Sequence, residues 1–396
     1  MNKDRTILAL IVLLAFTTSA FARKGSSRQY DVAAYIWPAY HDEPRYQDIG
    51  LFHDRKGEWE GIYNAQPRFE GHRQPRAPLW GYFDEASPKM QEKIVKTALK
   101  YGVNTFIFDW YWFDGKPFLE SVLNDGFLRA RNCGKMNFYL MWANHTANAY
   151  WDRTEPDKSK VYWHGEVNRE TFETFTDHIV RDYFLQPNYY RIDSQPVFAI
   201  YEIGTFIHGM GGMEGARDAL ESLRRKCVRA GLGGVHLQAI VWGALPASIS
   251  ATPGDKTQTQ DNTLKYLGFN SITNYQWCHL EPTNQDYADW GEASIRHWQE
   301  YDEQFSVPFF PHVSIDWDPN PRYPVECPPQ WVVHNVTPQK FEGFLHKAKD
   351  YVDRHPQQPP LVTINAWNEW AEGSYLEPDT EHGYGFLEAV RRVFGR

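Results

Sequence analysis

The sequence is short of cysteine, with four thiols, Cys133, Cys227, Cys278 and Cys327, in 396 residues. That density excludes a scaffold stapled by disulfides, because a chain of this length buries enough apolar surface to hold itself together. It still permits one bridge. Cys278 and Cys327 form the expected pair, since both lie just beyond expected strands in neighbouring loops; buried free thiols are the alternative. Basic charge is also scarce, at 41 Lys and Arg against 50 Asp and Glu, and the formal charge of −9 disfavours nucleic acid or any other polyanion as a partner. No apolar run after the N-terminal segment approaches the roughly 18 residues of a membrane helix, so no membrane partner is expected. There is no composition break, linker or repeat of fixed period. His41, His53 and His72 share one stretch without the ligand spacing of a zinc site, and the acids near Asp316 would hold calcium only with several carbonyls joining them. No cofactor and no metal are expected, and the protein is expected to be a monomer.

The N-terminal residues differ in character. "MNKDR" is a basic start, "TILALIVLLAF" an apolar core too short to span a bilayer, and "AFA", Ala20 to Ala22, a small-residue cleavage site. A signal peptide over residues 1–22 is expected, with residues 23–396 as one catalytic domain in a soluble periplasmic or secreted protein. No cysteine follows the apolar core, so a lipid anchor is not indicated. Loss of Lys3, Asp4 and Arg5, net +1, would leave the mature chain at −10.

What the chain has in abundance is aromatic: 16 Trp, 23 Tyr and 24 Phe, or 16% of residues. Tryptophan offers a flat apolar face that matches the C–H face of a pyranose ring, so the composition leans towards carbohydrate.

Short β-rich runs alternate with helical ones. The strands are "DVAAYIWPAY", "VNTFIFDWYW", "MNFYLMWANH", "QPVFAIYEI", "VHLQAIVWG", "NSITNYQW", "PFFPHVSIDWD" and "PLVTINAWNEW". Most are nearly continuous apolar runs, as when both faces of a parallel sheet are covered. Ser87 with Pro88, and Thr337 with Pro338, open helices with apolar stripes; Gly102 closes the first. Looser helical patterns cover 117–131, 171–184, 214–230, 290–305 and 386–394, with a stunted one at 263–267. Strand then helix, eight times, predicts an α/β fold, a (β/α)8 TIM barrel whose long βα loops, 41–86, 146–167, 244–261 and 318–336, form the catalytic mouth.

The carboxyl ends of the strands therefore test function. They carry Tyr35, Trp37 and Tyr40; Asp109, Trp110, Tyr111 and Trp112; Trp142, Asn144 and His145; Tyr201 and Glu202; Trp242; Asn274, Tyr275 and Trp277; His312, Asp316 and Trp317; and Asn365, Trp367 and Asn368. Amides and acids bind sugar hydroxyls while aromatic faces stack on rings. A single Trp or His at such a place is more often packing or a satisfied structural donor. Agreement at all eight ends points to a polar ligand site.

The last strand runs into "INAWNEWAEGSYLEPD", with Glu369 and Glu372 three residues apart. In an extended strand they would face opposite sides; in one helical turn their Cβ atoms come within about 5–6 Å. A tight turn from Asn368 to Gly373 is expected to aim both into the cleft, where mutual repulsion leaves one protonated near neutral pH, an acid beside a base.

"GVNTFIFDWYWFDGKPFLE", "LMWANH", "YRIDSQPVFAIYE" and "INAWNEWAEGSYLEPD" together resemble the WbsX family, also described as glycoside hydrolase family 99-like. The resemblance implies a retaining, endo-acting α-glycan hydrolase, with Glu369 as the base that deprotonates a sugar 2-hydroxyl and Glu372 as the general acid/base, through a 1,2-anhydro intermediate. "EWAEG" resembles the Glu-Trp-His-Glu-Gly segment of family 99, with Ala371 in place of the histidine, so mannose specificity does not transfer. An ester intermediate, a WbsX-type glycosyltransferase using "DWD", Asp316 to Asp318, and a non-catalytic carbohydrate-binding barrel are the alternatives.

Overall fold

The computed structural model describes residues 29–242 and 260–395. The expected signal peptide and most of the 244–261 loop lie outside these residues. All eight expected strands form: β1 (Asp31–Ile36), β2 (Thr105–Phe113), β3 (Asn137–Trp142), β4 (Gln195–Ile200), β5 (His236–Ile240), β6 (Ser271–Thr273), β7 (His312–Ser314) and β8 (Leu361–Asn365). They pair in parallel in the order β6-β5-β4-β3-β2-β1-β8-β7. A parallel bridge between Ile272 and Phe309 joins the two ends, with Phe310 N–H donating to Ile272 O at 2.9 Å, so the sheet closes into a barrel. Every residue of β2 is buried, which is why its sequence is a nearly continuous apolar run, broken by Asp109, rather than an alternation.

Helices α1 (Pro88–Tyr101), α2 (Arg169–Ile179), α3 (Met213–Arg229), α4 (Gln260–Leu267), α5 (Tyr287–Gln304), α6 (Pro338–Arg354) and α7 (Gly385–Phe394) cover the outside. Gly102 ends α1 at φ +98°, and the Thr337 hydroxyl caps α6 by accepting from Lys340 N–H at 3.3 Å. The 117–131 segment departs from expectation. Lys116–Phe118 instead pairs antiparallel with the end of β2, and Val122–Phe127 forms one wide turn in which Leu128 N–H reaches back five residues to Leu123 O. Asn124, Asp125 and Gly126 are weak helix formers, and a Cβ on Gly126 would meet Glu85 O at 2.7 Å, so an α-helix finds little support there. Among the described residues, no helix is long and apolar enough to cross a membrane.

The barrel interior carries a polar layer. His312 sits 2.9 Å from Thr363 Oγ1 and 3.0 Å from Ser314 Oγ, and burial lowers its pKa to about 3. It is a satisfied core residue. The four thiols are all free, so the expected Cys278–Cys327 bridge is absent; the Cys327 loop is tied instead to the 41–86 loop, through the Arg68 guanidinium on the carbonyls of Tyr323, Val325 and Cys327.

Helices α5 and α6 approach at Gly291, where a Cβ would meet the Phe344 ring at 2.2 Å. That ring is wedged edge-on between Trp277 and Tyr287. Alanine gains about 1 kcal/mol of helix propensity over glycine, but overpacking costs about 1–3 kcal/mol. Gly291→Ala is therefore expected to lower stability, read as an earlier urea midpoint at unchanged m-value.

Candidate active site

Past β8 the chain folds back on itself: Asn368–Glu369 pairs antiparallel with Ser374–Tyr375, and Trp370–Glu372 forms a single tight turn between them. Gly373 completes the turn at φ +73°, and a Cβ there would meet the Arg76 guanidinium at 2.9 Å, so only glycine fits. The expected turn over Asn368–Gly373 is thus present. Its tryptophans face the protein: Trp367 and Trp370 donate to Glu377 at 3.0 and 2.8 Å, and Trp370 stacks on Tyr375 with centroids 3.7 Å apart. Asn368 fastens the turn to the end of β1. Its Oδ1 accepts from Trp37 N–H at 2.8 Å while its Nδ2 donates to Trp37 O at 2.8 Å and to Glu85 at 2.6 Å.

With the turn fixed, both glutamates meet one cation. Arg322, 3% exposed, donates from Nη2 to Glu369 Oε1 at 2.8 Å and from Nη1 to Glu372 Oε1 at 2.6 Å. Its Nε donates to Glu58 Oε1 at 2.6 Å, and Nη2 also reaches Glu58 Oε2 at 3.2 Å. The guanidinium lies 4.9 Å from the Tyr150 ring centre and 5.6 Å from that of Trp37. Glu58 is held further by the Trp37 indole N–H. The backbone of Arg322 is anchored as well: Lys158 Nζ donates to Arg322 O at 2.7 Å and to Asp152 O at 2.6 Å, and burial lowers the lysine pKa to about 8.

Burial raises the pKa of both reacting candidates. Glu369 is pushed well above the carboxylate range by burial and then by Glu372, with Arg322 opposing; Glu372 is raised by burial and by Glu58 against a stronger pull from Arg322. Tyr275 Oη donates to Asp109 Oδ2 at 2.8 Å and lies 3.3 Å from Glu369 Oε2. Burial drives Asp109 well up too, and its Oδ1 has no protein partner.

These groups open onto a cavity of about 460 Å³, within the usual range for a small-molecule site. Of the residues expected from sequence, Trp37, Asp109, Tyr111, His145, Tyr201, Trp242, Tyr275, Trp317, Glu369 and Glu372 line it. Others stand elsewhere. Trp110 turns outward and donates to Glu120 at 2.7 Å, and Trp142 packs on Phe172 and Phe175 beneath α2. Asn144 joins loops through the Glu202 backbone; Trp277 packs between α5 and α6 on Trp290 and Phe344. Asn365 accepts from Gln276 at 2.8 Å inside the protein, and Trp367 and Asn368 support the turn. Asp316 pairs with Arg76 at 2.7 Å, while Asp318 contacts His72 at 2.8 Å, so the "DWD" acids are already engaged and face away from the cavity. Among the described residues, no three His, Cys, Asp or Glu side chains gather as a metal would need. Sequence reasoning missed Arg322, Glu58, Tyr150, Trp151, Lys158 and His279. All but His279 lie in the long loops, where no periodicity marks which side chains turn inward.

Comparison with solved structures supports the barrel. A "Glycoside hydrolase-like protein" aligns with TM-score 0.58 at 13% identity, covering 94% of this chain and 96% of its own. The GH99 endo-alpha-mannosidase from Bacteroides thetaiotaomicron aligns with TM-score 0.52 at 13% identity, covering 92% of this chain and 96% of that one. At such identity the likeness speaks for the fold. In sequence, "Uncharacterized protein WxcX" of Xanthomonas campestris pv. campestris is 26% identical over 375 residues, 92% of this chain. The chain spans about half the length of the curated relatives it matches, 50% of WxcX. The family model described as "Glycosyltransferase WbsX" matches residues 32–390, nearly all of the barrel, and the chain belongs to the WbsX family.

Proposed function

We propose that the chain is a glycoside hydrolase acting on α-linked glycans, with Glu369 and Glu372 as the reacting pair. The observation that carries this reading is two buried carboxylates on one guanidinium in the wall of an aromatic cavity at the barrel mouth. Tyr201 and Trp242, stacked at 5.5 Å, offer ring faces to a sugar, and the free Asp109 Oδ1 offers an acceptor to a hydroxyl. Export to the periplasm or exterior belongs to the proposal on the strength of the N-terminal sequence.

The charge balance supports acid/base work. Glu58, Glu369 and Glu372 face one arginine in a dry site, and full ionisation would bury uncompensated negative charge. The group therefore keeps a proton, and burial with the neighbouring Glu372 pushes Glu369 further towards holding it than Glu372. With Glu369 as base, substrate must draw Arg322 towards Glu369 and release Glu372 to take up the proton. The second carboxyl then protonates the departing oxygen while the sugar 2-hydroxyl, deprotonated by the first, displaces it. Water opens the resulting 1,2-anhydro sugar with net retention. The reverse assignment needs no such proton shift, so experiment must separate the two. The WbsX description favours one further reading, transfer from a nucleotide sugar.

Assays on a panel of α-linked polysaccharides test the proposal. Glu369→Gln and Glu372→Gln are each expected to lower kcat by about 10²–10⁴-fold, with Glu372→Gln spared on aryl glycosides that have good leaving groups. Sparing of Glu369→Gln instead would reverse the roles, and product formed only with an added nucleotide sugar would favour transfer.

Arg322→Met should leave Glu58 buried without its cation and cost about 3–5 kcal/mol of stability. Removing a positive charge favours the neutral carboxylic acids, so both glutamate pKa values rise. The alkaline limb of kcat/KM, which reports loss of the retained proton, should consequently move to higher pH; a downward shift would contradict the charge count.

A further inference from the structure

Resting on the reading of the chain as glycan-active, we infer that a second cavity on the same face is a separate binding site for a neutral, polyhydroxylated chain. This cavity, about 610 Å³, lies between the loops after β7 and β8 and the N-terminal ends of α6 and α7. It shares a wall with the first. Trp317 faces the first cavity, while Asp316 and Asp318 on either side of it face the second.

The charges of its lining decide the class of ligand. Arg73, Arg76 and Lys340 stand against Asp316, Asp318, Asp379 and Glu381. Each is already engaged: Arg73 with Glu381, Arg76 with Asp316 at 2.7 Å and Asp318 at 3.5 Å, Lys340 with Asp286 at 2.8 Å, and Asp379 with the Tyr375 hydroxyl at 2.9 Å. Every lining cation is paired, so none is free to hold an anion, and Asp379, the one lining carboxylate without a counter-ion, has its oxygens taken by the Tyr375 hydroxyl and the N–H groups of Glu381 and His382; what remains are polar walls of the kind that hydroxyl groups match. A ring face is supplied too. Phe69, 38% exposed, stands in the lining and stacks one face on His72 with centroids 4.4 Å apart at 11°.

The floor is preformed. His72 is fixed between the Arg68 N–H and Asp318, and Asp318 N–H donates to Glu372 O at 2.6 Å while Arg76 donates to Gly373 O at 3.1 Å. A chain held here rests against the back of the turn that carries both glutamates.

Affinity electrophoresis tests the site, using the full chain with Glu372→Gln in native gels containing amylopectin, dextran or yeast α-mannan. At least one polymer should retard the protein, and Phe69→Ala should weaken that retardation at least fivefold at unchanged melting temperature, with Tyr201→Ala in the first cavity leaving part of it. No retardation in any gel, or retardation indifferent to Phe69→Ala, overturns the inference. Hydrolysis by the wild type combined with such indifference would remove this site and keep the hydrolase. Phe69-dependent retardation without hydrolysis of any glycan would keep the site and remove the hydrolase.

Discussion

One guanidinium shared by three carboxylates governs this site. Arg322 can hold Glu58, Glu369 and Glu372 together only because its Nε and both terminal nitrogens point to different acceptors in one plane, a geometry that lysine lacks. Three chain segments distant in sequence must converge for it: the first long loop brings Glu58, the loop after β7 brings Arg322, and the turn after β8 brings the pair. Breaking any of them leaves buried charge uncompensated. The loops are thus bound to the barrel by electrostatics as well as by packing, and Lys158 adds a fourth segment by gripping the Arg322 carbonyl.

The aromatic wealth of the sequence serves two ends. Trp59, Trp142, Trp277, Trp290, Trp367 and Trp370 are fully buried and pack loops and helices against the barrel. Trp37, Trp151, Trp242 and Trp317 line the first cavity. Most of the tryptophans thus work as structure, and only the smaller set stands in the wall of the cavity proposed to take a sugar. Behind the turn, Glu85 and Glu377 extend the theme: burial pushes Glu85 well up and Glu377 to about 8, while Glu377 accepts from the indoles of Trp367 and Trp370 and Glu85 from Asn368.

The barrel was legible because its strands are nearly continuous apolar runs and its helices carry caps and stripes, both local signals. The 117–131 connection contains apolar residues at helical spacing, but Lys116–Phe118 is drawn into pairing with the end of β2, a tertiary effect invisible locally, and Asn124, Asp125 and Gly126 are weak helix formers. At the strand ends, period-two alternation separates Asp109 and Tyr111, on the cavity, from Trp110, which turns outward. Glu369 and Glu372 stood out through their spacing and the following glycine. Arg322 and Glu58 did not, since a loop arginine and a loop glutamate 264 positions apart carry no pattern until the fold unites them.

The central claim is that this group holds fewer charges than it has carboxylates. Infrared difference spectroscopy on protein labelled with ¹³C at the glutamate side-chain carboxyl tests it most directly, because the label excludes Asp109. At pH 7 the wild type minus Glu369→Gln spectrum should show a protonated-carboxyl C=O band, and that band should disappear as pH is raised. A difference spectrum with only carboxylate bands at pH 7 would mean that Glu369 is ionised beside Glu372, and the account of a shared proton would be wrong.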